Sequence, residues 1–338
     1  MKNDTILLGH GSGGTLSHDL ISSLFVRYFQ NAFLQKQTDS SLLLAEKEMI
    51  AFTTDSFVVD PVFFPGGNIG KLAVCGTVND LAVSGAQPKY LSASFIIEEG
   101  FPLNDLETIV ASMAEEALKA GVQIVTGDTK VVNRGKADKL FITTTGIGFL
   151  DKQFENISYG TQIIPGDKII LNGSVGNHGM AIMKAREADK FSADIESDCA
   201  CLNHLIASVT GKGLPVRWMR DATRGGLGTV LAELVKERAF GLEVHEEYIP
   251  VKRSVEGMCE LIGFDPLYVA NEGIVVIVVP ETHADEVLQI LKADPLGKEA
   301  SLIGQITGEH QGRALIHTGI GGRRIIDMLA GEQLPRIC

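Results

Sequence analysis

The sequence predicts a two-domain α+β protein with a short C-terminal tail. At 338 residues the chain is long for one domain, and roughly 150 residues per domain suggests about two. Hydrophobic residues make up 45% and charged residues 21%, which predicts a sizeable core and excludes general disorder. Strand-like and helix-like segments are mixed without a regular βαβ repeat, which favours the α+β class.

Residues 1–150 are predicted to form the first domain. Apolar residues at helical spacing predict helices over 15–34, 69–84 and 103–120. Apolar segments bounded by polar residues predict strands over 49–55, 89–97, 122–125 and 140–150. The segment 69–84 is unusually apolar, so we expect that helix to be buried.

Residues 151–330 are predicted to form a second domain, after a polar linker over 151–166 that contains Pro165-Gly166. The same patterns predict strands over 168–172, 273–279 and 300–306, and helices over 199–210, 226–239, 254–262 and 283–293. Residues 331–338 are predicted to be a flexible tail, in which Pro335 blocks a helix.

The net charge of the chain is −12, with a pI near 5.2. An acidic chain lacks the diffuse attraction that drives non-specific nucleic-acid binding, so an anionic ligand needs a local device such as backbone N–H groups or a metal ion. No apolar run approaches about 18 residues and no secretory leader opens the chain, which predicts a cytoplasmic protein without membrane contact.

The N-terminal segment Gly9-His-Gly-Ser-Gly-Gly14 satisfies the pattern G-x-G-x-x-G. A dinucleotide fingerprint also needs a full preceding strand and an acid about 20 residues later, and this segment has neither. Two interpretations remain open: a mobile turn, or a glycine loop that folds over phosphates through Gly11, Ser12, Gly13 and Gly14.

Three acids follow apolar segments beside Gly, Asn or Thr: Asp55, Asp80 and Asp128. Each alone is typical of a helix cap or a turn, whereas the three together favour Mg²⁺ held against phosphates. Lys130 follows the third acid and is flanked by valines, so beside bound phosphate it would stabilise developing negative charge.

In the second half, Asp221-Ala-Thr-Arg-Gly-Gly226 opens a predicted helix and suits an anion site. Glu272 lies in a loop before a strand, where it is either a general base or an exposed acid. There is no H-E-x-x-H, and Cys199-Ala-Cys201 lacks a C-x-x-C partner. The five cysteines are therefore interpreted as inert except for Cys338, which is the last residue; the inert four are Cys75, Cys199, Cys201 and Cys259.

Together these motifs closely resemble the HypE family of [NiFe]-hydrogenase maturation factors, also called carbamoyl dehydratases. The resemblance covers essentially the whole chain, and its segments are 9–14, 52–56, 64–71, 79–80, 127–130, 221–226, 271–273 and the terminal Pro335-Arg-Ile-Cys338. The terminal segment is the most specific. Asn177 departs from the Asp expected at that position, which weakens any role for position 177 in binding metal or phosphate.

The resemblance implies a fold like that of aminoimidazole-ribonucleotide synthetase (PurM-like), as a homodimer that binds ATP and Mg²⁺ near the subunit interface. It implies that a HypF-type carbamoyltransferase loads the Cys338 thiol, that ATP-dependent dehydration yields a thiocyanate, and that a HypC–HypD complex accepts the cyanide. Arg336 is expected to favour the thiolate.

The resemblance also implies roles for individual residues. Cys338 carries the substrate, Glu272 is the base, Lys130 stabilises charge, and Asp55, Asp80 and Asp128 bind the metal. The remaining nucleotide-binding residues are Gly11, Ser12, Gly13, Gly14, Lys71, Asn79, Gly127, Thr129, Asp221, Thr223 and Arg224.

Two other functions remain open from the sequence. One is another ATP enzyme of the same fold, of the selenophosphate synthetase or thiamine-monophosphate kinase type. The first of these needs a reactive Cys near the N-terminus, and no Cys precedes Cys75. The other is a non-catalytic maturation scaffold whose tail only docks a partner.

Overall fold

The computed structural model describes residues 14–20, 22, 41–44, 49–187, 191, 194–331 and 334–338. In the first domain it contains three helices and seven strands among the described residues. The helices are α1 (Gly14–Leu20), α2 (Ile69–Val83) and α3 (Leu103–Ala120). The strands are β1 (Ser41–Leu44), β2 (Met49–Phe57), β3 (Phe63–Phe64), β4 (Gly67–Asn68), β5 (Gln87–Glu98), β6 (Gln123–Val132) and β7 (Leu140–Leu150).

Five of these strands form one sheet in the order β1-β2-β7-β5-β6, and β3 and β4 form a separate hairpin. The pairs are antiparallel except β5 and β6, which are parallel. Helix α2 contacts β2, β7 and β5 on one face of the sheet, which we call the inner face. The opposite, outer face carries a row of hydroxyls in which Ser56 contacts Thr143 and Thr54 contacts Thr145.

Helix α2 is buried on nearly all sides, as its apolar sequence predicted. It begins at an Asn68 cap, whose side-chain oxygen accepts the N–H groups of Gly70 and Lys71. Its environment explains the absence of a polar face, because α2 contacts the first sheet on one side and elements of the second domain on the other. The helix is therefore the central packing element between the two domains.

The second domain contains a seven-stranded sheet in the order β14-β13-β10-β12-β8-β11-β9. Its strands are β8 (Lys168–Leu171), β9 (Trp218–Asp221), β10 (Gly241–His245), β11 (Val275–Val279), β12 (Ser301–Thr307), β13 (Ala314–His317) and β14 (Arg323–Ile326). Its helices are α4 (Asn177–Arg186), α5 (Asn203–Thr210), α6 (Gly226–Val235), α7 (Arg253–Ile262) and α8 (Glu281–Lys292).

Strand β11 shows why this sheet is buried on both faces. Val276 and Val278 pack into the core beneath α6, whereas Val275, Ile277 and Val279 pack into the core beneath α5 and α8. An uninterrupted apolar strand suits a sheet covered on both faces.

Most of the predicted elements are confirmed, and the bounds of α3 and β7 match the prediction. Strand β6 continues to Val132, well beyond the predicted end at 125. Helix α5 begins at Asn203 rather than 199, because hydrogen bonds to α2 hold the preceding residues out of the helix.

The sequence missed β1, the β3–β4 hairpin, α4, β9, β10, β13 and β14, and most of the predicted helix 15–34 lies outside the described residues. No helix in the described part of the chain is long and apolar enough to span a bilayer.

Candidate active site at the domain junction

The C-terminal tail is docked along the segment that follows β2. The backbone N–H of Val58 donates to the Cys338 carbonyl at 3.0 Å, and that of Asp60 donates to the Arg336 carbonyl at 3.1 Å. Ile337, between them, is 7% exposed and belongs to the same apolar core as α2. The predicted flexible tail is thus held in place in this structure by strand-like pairing and apolar burial.

Two side chains of α4 hold the tail from the other side. Arg186 donates to the Arg336 carbonyl at 2.5 Å and to the Asp60 carbonyl at 2.6 Å. His178 donates from Nε2 to the Ile337 carbonyl at 2.6 Å. Because the single N–H of the neutral ring is then on Nε2, Nδ1 accepts from the Ser197 hydroxyl at 2.8 Å, and the Ser197 oxygen in turn accepts the Cys199 N–H. Burial lowers the pKa of His178 to about 4, so the ring is neutral near pH 7.

Arg336 has a structural role that differs from the expected one. Its guanidinium donates to the Val58 carbonyl at 3.0 Å, lies over the Phe141 ring and forms an ion pair with Asp138. The expectation that it favours the Cys338 thiolate is therefore wrong for this docked state. Arg336 anchors the tail instead.

Arg224 is the cation that shares its surroundings with Cys338. It lies in the turn before α6, and its pKa is raised first by the negative charge at Cys338 and then by Asp55, Glu272 and Asp80. The two aspartates come from the first domain, whereas Arg224 and Glu272 come from the second. These groups therefore converge at the domain junction, around the end of the tail.

Asp55 of β2 and Asp80 of α2 both lie where α2 packs on the inner face of the first sheet. Thr53, two residues before Asp55 on β2, donates from its hydroxyl to Asp80 at 2.8 Å. A Cβ added at Gly76 of α2 would lie 3.6 Å from the Asp55 carboxylate. Burial raises the pKa of Asp55, and the Arg224 charge opposes that rise.

Glu272 is 3% exposed, which excludes the exposed loop acid as an interpretation. Its backbone N–H and that of Gly273 donate to the Asp198 carboxylate at 3.3 and 3.2 Å, and its carbonyl accepts the Ala200 N–H at 3.4 Å. Burial raises the pKa of Glu272 well above its ordinary value, and negative charge at Cys199 and Asp221 adds to the rise. Glu272 is thus a buried carboxyl that favours its protonated form.

Asn79 connects the two domains through both ends of its amide. Its nitrogen donates to the Ala200 carbonyl at 3.0 Å and to the Glu272 carbonyl at 3.3 Å, and its oxygen accepts the Leu202 N–H at 2.7 Å. The family resemblance predicts Asn79 as a nucleotide ligand. The structure places its amide against the backbone that carries Glu272.

Asp128 and Lys130 lie elsewhere in the chain. Strand register aligns Asp128 with Ser94, Thr143 and Ser56, so it lies on the outer face of the sheet, opposite to Asp55. Three strand spacings of about 4.8 Å also separate β6 from β2, or roughly 14 Å. Lys130 pairs with Asp128 at 2.9 Å, and both are exposed. The predicted three-acid group is therefore not assembled within one chain.

The remaining predicted residues occupy several places. Lys71, at the start of α2, donates to the Gly66 carbonyl at 3.1 Å. A Cβ at Gly127 would lie 2.2 Å from the Ala93 carbonyl oxygen of β5. The close approach of the two strands therefore explains this glycine without a nucleotide. Thr129 follows on the same exposed strand, Asp221 ends β9 with its side chain buried, and Thr223 is half-buried in the turn before α6.

The N-terminal glycine loop is described only at its end. Gly14 lies against the segment before the tail, since the Thr15 N–H donates to the Leu329 carbonyl at 3.1 Å. Gly11, Ser12 and Gly13 lie outside the described residues.

Asn177 is buried at the start of α4, and its amide nitrogen donates to the carbonyl and the hydroxyl of Ser174. An Asp could not make those two donations at neutral pH. Asn at this position therefore fits the local turn.

Comparison with known proteins assigns the family. The AIR synthase related protein family matches through its N-terminal domain over residues 37–150 and its C-terminal domain over residues 165–317. The carbamoyl dehydratase HypE of Rhodobacter capsulatus is 48% identical over 100% of this chain and 99% of that protein. The chain belongs to the HypE family.

Two solved HypE structures match this fold. A crystal structure of HypE in complex with ATP has a TM-score of 0.82 and 45% identity, covering 99% of this chain and 100% of that one. A crystal structure of a HypE–HypF complex has a TM-score of 0.85 and 47% identity, covering 92% of this chain and 99% of that one. The PurM-like fold implied by the sequence is confirmed.

The sequence did not indicate three residues that hold the tail or the Glu272 loop at this site: His178, Arg186 and Asp198. The only sequence signal for His178 is its place in the polar, glycine-flanked segment Gly176-Asn-His-Gly179. That signal does not distinguish a histidine that anchors the tail from an ordinary core histidine. Arg186 and Asp198 had no signal, because their partners lie far away along the chain.

Proposed function

We propose that this chain is a cytoplasmic, ATP-dependent carbamoyl dehydratase that acts on its own C-terminal cysteine. The observation that carries the proposal is the docked tail, whose end lies within electrostatic range of Arg224, a cation that Glu272 also influences. A carrier thiol that must be loaded by one protein and processed by another needs such a reversible docking place. The noncovalent anchors of the tail meet that requirement.

The proposed reaction converts a carbamoyl group on the Cys338 sulfur into a thiocyanate. A HypF-type partner supplies the S-carboxamide, and the carbamoyl oxygen attacks the γ-phosphoryl group of ATP. The C–O bond then breaks as the nitrogen loses its two protons and the C≡N bond forms. The products are protein thiocyanate, ADP, phosphate and a proton, and a HypC–HypD complex accepts the cyanide.

Glu272 suits the role of the base in this scheme. A carboxylate whose pKa is raised by burial binds a proton more strongly than an exposed one, so it is a better proton acceptor once it is ionised. Asp198 and Asn79 fix the backbone on both sides of it. The cation of Arg224 lies close enough to offset negative charge that develops during the reaction.

Asp55 and Asp80 are the residues of this chain that would hold Mg²⁺ at the junction. The fit rests on two observations. Both side chains offer hard oxygen donors, and the buried negative charge of Asp55 is only partly balanced by Arg224, because Arg224 also interacts with Cys338, Glu272 and Asp80. When bound, Mg²⁺ would screen the negative charge of the phosphates.

We further propose a homodimer that completes the site with Asp128 and Lys130 of a second copy. Within one chain these residues lie on the opposite face of the sheet from Asp55. The same outer face exposes the apolar side chains of Phe52 and Ile96, and Ile96 is paired with Lys130 in the strand register. A second copy on this surface would bury those side chains and bring Lys130 near the partner's phosphates.

Mass spectrometry of the tail peptide tests the reaction. With a HypF-type enzyme, carbamoyl phosphate and ATP, we expect the wild-type tail to gain a carbamoyl group and then lose the mass of water. Glu272→Gln should accept the carbamoyl group and stall there, Cys338→Ala should remain unmodified, and the exposed Glu281→Gln should behave as wild type. Thiocyanate formation by Glu272→Gln would refute the base assignment, and ATP hydrolysis that ignores the loaded tail would favour a scaffold.

Subunit complementation tests the shared site. Lys130→Ala and Glu272→Gln should each be inactive, and their equimolar mixture after subunit exchange should recover up to about a quarter of wild-type activity, because half of the dimers then hold one intact site. If Lys130 acts within its own chain, the mixture stays inactive.

A further inference from the structure

Three side chains of types that can bind metals, from both domains, meet behind the Glu272 loop. Cys75 of α2 and Cys201, before α5, have their sulfurs 3.4 Å apart. With Glu116 of α3 they form the one group among the described residues whose three ligand atoms all lie within 4.8 Å of one another. The sequence did not indicate this group, because Cys75 and Cys201 are 126 positions apart.

A fourth donor adjoins the group. The thiol of Cys75 interacts with those of both Cys199 and Cys201, and these hydrogen bonds together with burial raise its pKa well above the ordinary value. Cys75 is 0% exposed and Cys199 is 2% exposed. Three thiols and one carboxyl therefore lie close together, and all are buried except Cys201, which is half-buried.

Glu116 is the unexpected member of this group. It lies on α3, whose neighbouring acid Glu115 is exposed, yet Glu116 is 7% exposed and turned inward. Its partner Lys119, at 3.0 Å, lies on the solvent side. Lys119 also pairs with the exposed Glu115 at 2.7 Å, so one ammonium group serves two carboxylates, and a cation on the thiol side would complete the compensation of the buried Glu116 charge.

We propose that Cys75, Cys201 and Glu116, with Cys199 as the fourth ligand, bind a thiophilic divalent cation of the Zn²⁺ type. Two sulfurs bound to one tetrahedral zinc ion lie about 3.8 Å apart, since each Zn–S bond is about 2.3 Å. The observed 3.4 Å between Cys75 and Cys201 requires a change of a few tenths of an ångström. Thiolates select against Mg²⁺, so this site would not compete with the oxygen donors of the junction.

Such an ion would fasten the two domains behind the active site. Cys75 and Glu116 belong to the first domain, whereas Cys199 and Cys201 flank Ala200, whose N–H donates to the Glu272 carbonyl. Because zinc displaces thiol protons, we expect metal affinity to rise with pH.

Zinc binding by the full-length, reduced chain tests the site, after removal of metal with a chelator. We expect about one Zn²⁺ per chain after gel filtration, measured by elemental analysis, and a strong sulfur-to-metal charge-transfer band when Co²⁺ replaces it. Cys75→Ser and Cys201→Ser should each lower the affinity at least about 100-fold. Cys259→Ser, which removes a buried thiol of α7, and Cys338→Ala should bind as wild type.

Glu116→Gln tests the site even if the cysteine variants fail to fold, because Gln has nearly the same shape as Glu but lacks the negative charge. It should retain the circular dichroism of the wild type, change the Co²⁺ spectrum and weaken zinc binding about tenfold or more. The proposal is overturned if the reduced wild-type chain binds no zinc, if Cys75→Ser or Glu116→Gln binds it as well as wild type, or if Cys338→Ala removes it.

Discussion

Replacing Arg186 with Met should release the C-terminal tail from its docking place. The guanidinium makes a charged hydrogen bond to the Arg336 carbonyl at 2.5 Å, and Met retains most of the apolar stem. Hydrogen bonds to charged groups contribute about 1.5–3 kcal/mol, which corresponds to a docking equilibrium weakened about 10- to 150-fold. We expect the lower end, because the Asp60 N–H still donates to the same carbonyl.

Pulsed alkylation of Cys338 measures this change. In Arg186→Met the tail peptide should be modified by iodoacetamide about tenfold faster than in wild type, since the undocked fraction rises by that factor. ATP-dependent dehydration should slow, whereas carbamoyl loading should be unchanged or faster. The matched control is Arg238→Met, whose guanidinium donates to the Tyr159 carbonyl at 2.6 Å, away from the tail.

Equal alkylation rates in Arg186→Met and wild type, with both proteins folded, would refute the role of Arg186 as a tail anchor. A thermal unfolding scan of each variant shows whether the fold is intact. Faster alkylation of Arg238→Met would instead indicate a general loosening of the chain.

Three further predictions concern His178, Glu272 and Gly273. Burial lowers the pKa of His178 from 6.5 to about 4, so the free energy of unfolding should fall by up to about 3 kcal/mol as the pH drops from 6.5 to 4. In His178→Phe, urea titrations should show that this pH-dependent fall is absent. Glu272 gives the opposite pH dependence. Its raised pKa favours the protonated form, so its contribution to the free energy of unfolding is fully present below about pH 4.5 and falls as the pH rises, by up to about 1.4 kcal/mol per pH unit. Glu272→Gln should flatten that decline, and a parallel decline in both proteins would contradict the assignment. A Cβ on Gly273 would lie 2.0 Å from the Asp198 carbonyl oxygen, so Gly273→Ala should slow dehydration and lower the melting temperature by several degrees, while Gly257→Ala, where nothing lies near, should not.

Local patterns in the sequence were sufficient for much of the fold. Helix α3 could be placed because its apolar spacing is regular and Gly121, with a φ of 70°, ends it. Strand β7 alternates buried and half-buried residues along its whole length. Short elements such as β9, β13 and β14 were missed, since four residues carry too little periodicity to distinguish a strand from a loop.

The sequence by itself determined the family resemblance, the two domains and the candidate role of Cys338, because these depend on motifs and local periodicity. The tertiary structure decided which charges meet. It brought Arg224 within electrostatic range of Cys338, paired Arg336 with Asp138, and set Asp128 on the opposite face of the sheet from Asp55. It also brought Cys75 to Cys201. The physical reason is the same in each case: strand register and domain packing bring together residues far apart in the chain, and one sequence read along its length contains no measure of that proximity.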